Sequence, residues 1–242
     1  PDTAGRAPIM VMAHGLGGTR NMRLPAFAER FVAEGYGCLL FDYRHFGDSD
    51  GEPRQLLDIK KQLQDWKAAI EHARGLAQVD PDRVILWGTS FSGGHVLATA
   101  ADDPRIAAVI SQCPFTDGLA STLATEPLVS AKLTAKALRD RLGALVGAAP
   151  VMVAVAGRPG DTALMTAPDV WDGYMNLVPE GARIRNEAAA RFALDIIRYY
   201  PGRKAAGIRA PVFFCVCDND TVAPAKQTLR HASRVPRHEI RR

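Results

Sequence analysis

The chain has 242 residues, of which 47% are hydrophobic and 23% are charged, which fits one large α/β domain with a full core and excludes two small ones. The formal net charge is +4, and no basic run is longer than two residues, so we expect no nucleic-acid partner. No apolar run approaches the length that spans a bilayer, and no signal peptide is visible, so we expect a soluble protein.

The first predicted strand, residues 9–13, leads into a glycine-rich segment with the sequence His14-Gly15-Leu16-Gly17-Gly18. Glycine lets a backbone approach a ligand closely and turn its amides toward that ligand. Taken alone, this segment indicates either a binding loop or a simple turn.

A helix is predicted over residues 24–34 and a second strand over residues 35–41, which ends in a polar loop at residues 42–51. A long amphipathic helix is predicted within residues 55–76, because its apolar residues recur every three to four positions and would pack on the sheet. These apolar residues are Leu56, Ile59, Leu63, Trp66 and Ile70.

A third apolar strand, residues 84–87, breaks at Gly88, and a segment of helical character follows. Ser90 lies at the turn between them, where its hydroxyl would project above the edge of the sheet. The backbone N–H of Phe91 would then be free at the helix N-terminus to meet an oxyanion. Ser92 is a rival nucleophile, but only Ser90 has a glycine two residues before it and directly follows the strand. An ordinary glycine-rich turn of a doubly wound fold is the alternative.

Another strand is predicted over residues 106–111, and strands that alternate with helices at this spacing predict a parallel sheet with right-handed crossovers. After residue 119 the alternation stops. Helical patterns at residues 131–145 and 186–200 flank a loop-rich stretch that contains Met165, Trp171, Tyr174 and Met175. The last complete strand is predicted over residues 211–217, before an acidic turn.

Three of these segments resemble motifs of the α/β-hydrolase superfamily. The turn Gly88-Thr89-Ser90-Phe91-Ser92 resembles its nucleophile elbow, G-x-S-x-G, with serine in place of the second glycine. Residues 14–18 resemble its HGxGG oxyanion loop, and residues 42–49 resemble its D-x-R-G-x-G-x-S loop, with His45 replacing the first glycine. The resemblance implies an α/β fold with a doubly wound, mostly parallel sheet and a helical lid inserted late in the sheet order.

The resemblance also divides the chain into three parts. Residues 1–118 form the first part of the core domain, residues 119–205 form the lid, and residues 206–242 form the second part of the core. The methionines and aromatic residues of the lid would line an apolar substrate pocket or form the lid's own small core.

The same resemblance implies roles for individual residues. Ser90 is the nucleophile, and the backbone amides of Leu16 and Phe91 form the oxyanion hole. Asp220 is the triad acid, because it lies four residues before Pro224 in the family's D-x-x-x-P setting. The alternatives for the acid are Asp218 and Asp117.

Other matched residues are expected to support the site. His14 would brace the glycine-rich loop without titrating in the mechanism. Asp42 and Arg44 would order the loops around the site, and His45 is kept as a candidate contact to substrate.

The triad base is the component that the sequence does not supply clearly. A serine hydroxyl needs a base to take its proton, and in this family the base is a histidine that follows the acid in the chain. His231 lies in a predicted helix, and His238 precedes a predicted strand, whereas the family's base lies beyond that strand. We therefore expect the base to follow Arg242, with His238 as the fallback.

The implied function is that of a serine hydrolase that cleaves a carboxylic ester or a related acyl bond through a Ser90 acyl-enzyme. Acyl transfer, thioester hydrolysis and peptide cleavage use the same residues, and a hydrolase fold kept as a non-catalytic binding protein is a further alternative. No cofactor or metal is implied, because no His, Cys or Asp cluster has ligand spacing. The expected partner is a small-molecule acyl substrate, and the sequence leaves a homo-oligomer open.

The four cysteines all lie in apolar, strand-like segments. Cys215 and Cys217 are two residues apart on one predicted strand, so both side chains point to the same face of the sheet. We predict buried thiols in a reducing compartment, and hence a cytoplasmic protein, in preference to a metal or redox site. The other two are Cys38 and Cys113.

Overall fold

The computed structural model describes residues 5–182 and 184–242, which contain two β-sheets. In chain order the strands are β1 (Ala7–Ala13), β2 (Gly37–Leu40), β3 (Val79–Thr89), β4 (Ala108–Gln112), β5 (Met152–Ala156), β6 (Ala163–Met165), β7 (Glu187–Ala189), β8 (Val212–Cys215) and β9 (His238–Arg241). Six of them form a parallel sheet in the order β2-β1-β3-β4-β8-β9. The other three form a small sheet in the order β6-β5-β7.

Helices connect the strands of the larger sheet and also form part of the segment between β4 and β8. They are α1 (Leu24–Ala33), α2 (Ile59–Gly75), α3 (Phe91–Asp102), α4 (Gly118–Leu123), α5 (Pro127–Leu145), α6 (Val170–Met175), α7 (Ala193–Ile196) and α8 (Ala225–Ala232), with 3-10 turns at Ala190–Phe192 and Pro201–Gly207. No helix in the described part of the chain is long and apolar enough to cross a membrane.

Helix α2 shows how local sequence sets an element. The carboxylate of Asp58 accepts a hydrogen bond from the backbone N–H of Lys61 at 3.1 Å, which caps the first turn. Trp66, Ile70 and Ala73 recur at a spacing of three to four residues and are buried. The helix is therefore fixed on the sheet by the apolar face that its sequence predicts.

Both faces of the parallel sheet are covered at its centre, so its central strands are apolar on both sides, whereas the edge strand β9 is mostly exposed. In β1, Ile9 and Val11 belong to the main hydrophobic cluster, whereas Met10 and Met12 belong to a second cluster that includes Trp87. This alternation follows from the two-residue period of a strand. The carboxyl ends of β3, β4, β8 and β9 then meet at one edge, where Thr89, Gln112, Cys215 and Arg241 lie in register.

The segment between β4 and β8, called the cap below, contains a small hydrophobic cluster of its own, which includes Val129, Leu133 and Ala137 of α5. The buried carboxylate of Asp140 in α5 binds the guanidinium of Arg191 at 2.8 and 2.9 Å. This pair joins α5 to the segment that follows β7.

Gln55 links the cap to the core domain. Its side-chain amide donates to the backbone carbonyl oxygens of Arg185 and Glu187. Its backbone carbonyl accepts a hydrogen bond from the backbone N–H of Ala189. The cap is thus held against the core by backbone groups of β7 and the residues before it.

The predicted fold class is confirmed, because the chain has the six-stranded parallel sheet and covering helices of an α/β hydrolase. Within the cap, the prediction of a helix over residues 186–200 is wrong. These residues form β7, a 3-10 turn and the four-residue helix α7. The alanines at positions 188, 189 and 190 have a high helix propensity, but all three are fully buried in strand and turn conformations, so tertiary packing overrides local preference. The small sheet of β5, β6 and β7 was not predicted either.

Candidate active site

Ser90 lies in a sharp turn between β3 and α3. Its φ of 54° lies in the left-handed region, which a residue with a side chain seldom adopts. Neighbouring backbone fixes this conformation, because the N–H of Ser90 donates to the carbonyl of Gln112 at 2.9 Å and its carbonyl accepts from the N–H of Phe115 at 2.8 Å. A Cβ atom at Gly88 would lie 2.4 Å from the carbonyl oxygen of Ser92, so the turn requires glycine there.

The two serines of this turn have different surroundings. Ser90 is half-buried and lines a cavity, whereas Ser92 is fully buried. The hydroxyl of Ser92 accepts a hydrogen bond from the hydroxyl of Tyr43 at 3.1 Å. The Tyr43 hydroxyl in turn accepts a hydrogen bond from Nε1 of Trp66 at 2.8 Å. Of the two hydroxyls, only that of Ser90 is available to a molecule in the cavity.

The glycine-rich loop packs directly against Ser90. A Cβ atom at Gly15 would lie 3.0 Å from the Cβ of Ser90, and Leu16 lines the same cavity as Ser90 and Phe91. Within the described residues, no protein oxygen accepts a hydrogen bond from the backbone N–H of Leu16 or Phe91. Two unpaired amides therefore lie close to a serine hydroxyl.

His14 is buried beneath this loop. Its Nδ1 donates to the carbonyl of Gly15 at 2.9 Å, and its Nε2 lies 3.9 Å from the carboxylate of Asp42. Burial lowers the pKa of His14 to about 4, so the ring is neutral near pH 7. Such a ring can order the loop, and it does not line the cavity.

Asp42 and Arg44 both make hydrogen bonds that order loops. The buried carboxylate of Asp42 accepts from the backbone N–H groups of Arg20 and Asp48. Nε of Arg44 donates to the carboxylate of Asp65 at 2.6 Å.

His45 has a positive φ of 73°, and its Nε2 lies 3.2 Å from Nζ of Lys61. The ring is buried there, away from the cavity. The geometry gives no support to a contact between His45 and substrate.

A cavity of about 410 Å³ lies between Ser90 and the cap. Residues of the core and of the cap both contribute to its apolar wall, and its cap side carries a series of hydroxyl groups. The apolar residues include Phe91, Phe115, Leu133, Leu164, Met165 and Ile196. The hydroxyl-bearing residues of the cap are Ser121, Thr122, Thr125, Ser130, Thr134 and Thr166.

Of the four cap residues that the sequence singled out, Met165 lines the cavity and three do not. Trp171 lies under the guanidinium of Arg158, 5.6 Å from the ring centroid, while Tyr174 and Met175 pack into the main core. The hydroxyl residues, which contribute much of the wall, were missed because single serines and threonines carry no pattern in the sequence.

Asp220 follows β8 and lies beside the cavity, which Thr221 and Val222 line. Its carboxylate accepts hydrogen bonds from the backbone N–H groups of Val222 and Ala223 at 3.0 and 2.7 Å. Burial raises the pKa of Asp220, and the nearby carboxylate of Asp169 adds to this effect.

The two alternative acids have other partners. Asp218 is exposed and pairs with Arg242 at 2.7 Å. Asp117 caps α4 by accepting from the N–H of Ala120 at 3.0 Å, and its carboxylate lies 3.9 Å from Nε2 of His231.

No histidine among residues 5–182 and 184–242 lines the cavity. His231 is buried in α8 against Gly202. His238 begins β9 in register with Val212, so it lies at the opposite edge of the sheet from Ser90, and its Nδ1 donates to the carbonyl of Val235. This position gives no support to His238 as the fallback base.

The described part of the chain contains no cluster of three or more His, Cys, Asp or Glu side chains that could hold a metal ion. The expected burial of all four thiols is wrong, because Cys217 is exposed and the other three are only partly buried. Cys217 lies beyond the end of β8, where the chain has left the sheet.

Comparison with known proteins gives matches over the whole chain. A family model described as "Serine aminopeptidase, S33" matches residues 5–241. The quorum-quenching protein AidA of Acinetobacter baumannii is 66% identical over 241 residues, which cover 100% of this chain and 79% of that protein. The acyltransferase drtE of Aspergillus calidoustus is 30% identical and is matched over 94% of this chain and 74% of its own length.

The fold is also shared with solved structures. The α/β hydrolase GrgF from Penicillium superimposes with a TM-score of 0.82 at 24% identity, and the match covers 98% of this chain and 82% of GrgF. At that identity the likeness concerns the fold.

Proposed function

The chain belongs to the serine aminopeptidase S33 family of α/β hydrolases, and on this basis we propose that it hydrolyses a carboxylic ester through an acyl-enzyme on Ser90. The observation that carries the proposal is the position of Ser90, in a strained turn at the base of a cavity and beside two unpaired amides. A strained serine at a strand-to-helix turn is the arrangement that nucleophilic catalysis uses.

In the proposed mechanism, Oγ of Ser90 attacks the carbonyl carbon of the ester while a base takes its proton. The N–H groups of Leu16 and Phe91 donate to the developing oxyanion, which stabilises the transition state more than the ground state. The alcohol then leaves with a proton from the base. A water molecule attacks the acyl-enzyme by the same route and releases the acid.

Asp220 is proposed as the acid that orients and stabilises the base. Its place after β8 and beside the cavity supports this role over Asp218, which is exposed and paired with Arg242, and over Asp117, which caps α4. A carboxylate in this role does not take the proton but stabilises the charged imidazolium.

We propose that the base is a histidine after Arg242. Arg241 pairs with Cys215, which pairs with Gln112, which pairs with Thr89, the residue before Ser90. Strand β9 therefore ends at the same edge of the sheet as Ser90. A side chain from the segment that follows β9 is therefore at the correct edge of the sheet. A full-length sequence with no histidine in the next ten or so positions would contradict this part of the proposal.

The quorum-quenching relative favours a refinement of the substrate. We propose that the substrate is an acylated signal molecule of quorum sensing. The apolar wall of the cavity suits the acyl chain, and the hydroxyl groups of the cap can bond to the polar part. Acyl transfer to an alcohol or amine uses the same acyl-enzyme, and the acyltransferase relative keeps that alternative open.

The test is covalent labelling of the full-length protein with a fluorophosphonate, followed by peptide mass spectrometry. We expect the label on Ser90 and no label in Ser90→Ala. Labelling that persists in Ser90→Ala would assign the nucleophile elsewhere, with Ser92 as the first candidate. A properly folded protein that is not labelled at all would indicate a binding protein and contradict the proposal.

Substrate classes are then separated by initial rates. Short p-nitrophenyl esters, acyl-CoA thioesters, proline-containing dipeptide amides and an N-acyl homoserine lactone are compared under one set of conditions. We expect the two oxygen esters to react fastest. A preference for the amide would instead indicate a peptidase, and an acylated product formed only with an added alcohol or amine would indicate a transferase.

A further inference from the structure

Two cysteines meet at the edge of the sheet where Ser90 lies. Cys113 directly follows β4, and Cys217 lies two residues after β8, the neighbouring strand. Their Sγ atoms are 3.0 Å apart. Cys217 is exposed to solvent and Cys113 is partly buried, so one thiol of the pair is directly accessible.

The backbone around each thiol is linked to a residue of the proposed site. Cys113 lies between Gln112 and Phe115, whose backbone groups hold both the N–H and the carbonyl of Ser90. The carbonyl of Cys217 accepts a hydrogen bond from the N–H of Asp220 at 3.3 Å, so Cys217 begins the turn that carries this carboxylate. A change in the position of the two sulfur atoms would therefore act on the segments of both residues.

We propose that Cys113 and Cys217 form an oxidisable dithiol, and that closure of this dithiol into a disulfide lowers the reactivity of Ser90. The second part rests on the function proposed above, whereas the first part does not. The described residues around the pair contain no metal-binding cluster, so metal binding does not account for the approach of the two thiols.

The oxidant is a small peroxide. The Cys217 thiolate attacks one oxygen of hydrogen peroxide, the O–O bond breaks, and Cys217 becomes a sulfenic acid while hydroxide leaves and is protonated to water. The sulfur of Cys113 then attacks the sulfur of Cys217, the S–O bond breaks, and the departing hydroxide takes the thiol proton as a second water. Overall the two thiols lose two electrons and two protons, and the peroxide is reduced to water.

The order of the two steps follows from exposure. Burial raises the pKa of Cys113 to about 12, so Cys113 stays a thiol near pH 7 and does not begin the reaction. Cys217 is the exposed member and meets the oxidant first.

Disulfide formation brings the sulfur atoms from 3.0 Å to a bond length of about 2.05 Å. Rotation about the cysteine side-chain bonds takes up part of this shortening, and the remainder pulls the two segments toward each other. Even a small displacement in a catalytic arrangement lowers reactivity, because attack requires a closely defined geometry.

The disulfide is tested by counting alkylatable thiols in the folded full-length protein before and after brief exposure to hydrogen peroxide. We expect two thiols to disappear, one peptide pair that contains Cys113 and Cys217 to have lost two hydrogens, and dithiothreitol to restore both thiols. Cys217→Ser is expected to form no disulfide. Cys38→Ala and Cys215→Ala serve as matched controls and are expected to behave like the wild type.

Two results would overturn the dithiol: all cysteines of the wild type stay alkylatable under conditions that oxidise free glutathione, or the disulfide joins another pair. The effect on Ser90 is read from the rate of fluorophosphonate labelling. We expect a loss of about tenfold or more in the oxidised wild type, with recovery in dithiothreitol and no loss in Cys217→Ser.

Equal labelling rates in the oxidised and reduced wild type would overturn the proposal that the disulfide lowers the reactivity of Ser90. They would not overturn the proposal that the disulfide forms. If the reduced protein is not labelled, both the proposed function and the proposed regulation of Ser90 fail. Peptide mapping still decides whether the disulfide between Cys113 and Cys217 forms. The two proposals can therefore fail separately.

Discussion

Ser92 stands where a glycine is usual in a nucleophile elbow, and its environment explains why a hydroxyl is tolerated there. The side chain is fully buried and accepts a hydrogen bond from the hydroxyl of Tyr43, which itself accepts from Trp66. A buried hydroxyl without a partner would be costly, but this one belongs to a connected chain of three residues. Its role is to hold α3 against the loop after β2.

We predict that Ser92→Ala destabilises the protein by about 1–3 kcal/mol and leaves Ser90 open to labelling. The cost arises because the buried hydroxyl of Tyr43 loses its acceptor. Urea denaturation measures the loss, and Ser233→Ala, at an exposed hydroxyl, is the control with an expected change near zero. A folded Ser92→Ala variant that can no longer be labelled would contradict this assignment.

At the scale of elements, the turn between β3 and α3 depends on close backbone approach. We predict that Gly88→Ala destabilises the protein by about 3 kcal/mol and slows labelling of Ser90 on the order of 100-fold. The added methyl group would meet the carbonyl of Ser92 at 2.4 Å, and the backbone must move to relieve this contact.

The matched control is Gly75→Ala at the end of α2, where an added Cβ meets nothing within 4 Å. Alanine is the better helix former, so this variant should be neutral or slightly more stable. Thermal unfolding and labelling rate together test the pair of variants. The interpretation of the turn fails if Gly88→Ala behaves like Gly75→Ala.

An ion pair with a buried carboxylate, that of Asp140, joins two elements of the cap. We predict that Asp140→Ala costs about 3 kcal/mol, because the partly buried guanidinium of Arg191 then loses its carboxylate and Val151 loses an acceptor for its N–H. Asp102→Ala removes an exposed pair with Lys204 and should cost about 1 kcal/mol or less. Limited proteolysis, read by mass spectrometry, should show new cleavage in the cap of Asp140→Ala alone. Equal protection of the two variants would contradict the prediction.

For the whole molecule, sequence patterns predicted the core domain better than the cap. The strands of the core are continuous apolar runs between glycine-rich turns, and the order of their motifs is itself informative. In the cap, β6 and β7 are three residues each, too short to show a period, and β7 is rich in alanine. Gln55 also gave no signal, because its partners lie 130 residues or more away in the chain.

Stability at acid pH is a property of the whole core, since it depends on four buried histidines whose pKa is lowered, and the effect is largest at His95 and His14. Burial lowers the pKa of His95 to about 3, and the nearby His14 adds to this effect, while the pKa of His14 falls to about 4. In an unfolded chain both rings titrate near 6.5, so below that pH the unfolded state binds more protons than the folded state. The free energy of unfolding must therefore fall as the pH decreases from about 6.5 toward 4.

We predict a fall of about 1.4 kcal/mol per pH unit for each of His95 and His14 within that range. His95→Gln should reduce the slope by that amount, although the variant is less stable at pH 7 because it alters contacts with Tyr199 and Gln62. His72→Gln, at an exposed histidine, is the control and should keep the wild-type slope. Urea midpoints from pH 7 to 4.5 provide the measurement. If wild type and His95→Gln lose stability at the same rate, His95 is already charged in the folded protein and the assignment of a neutral buried ring is wrong.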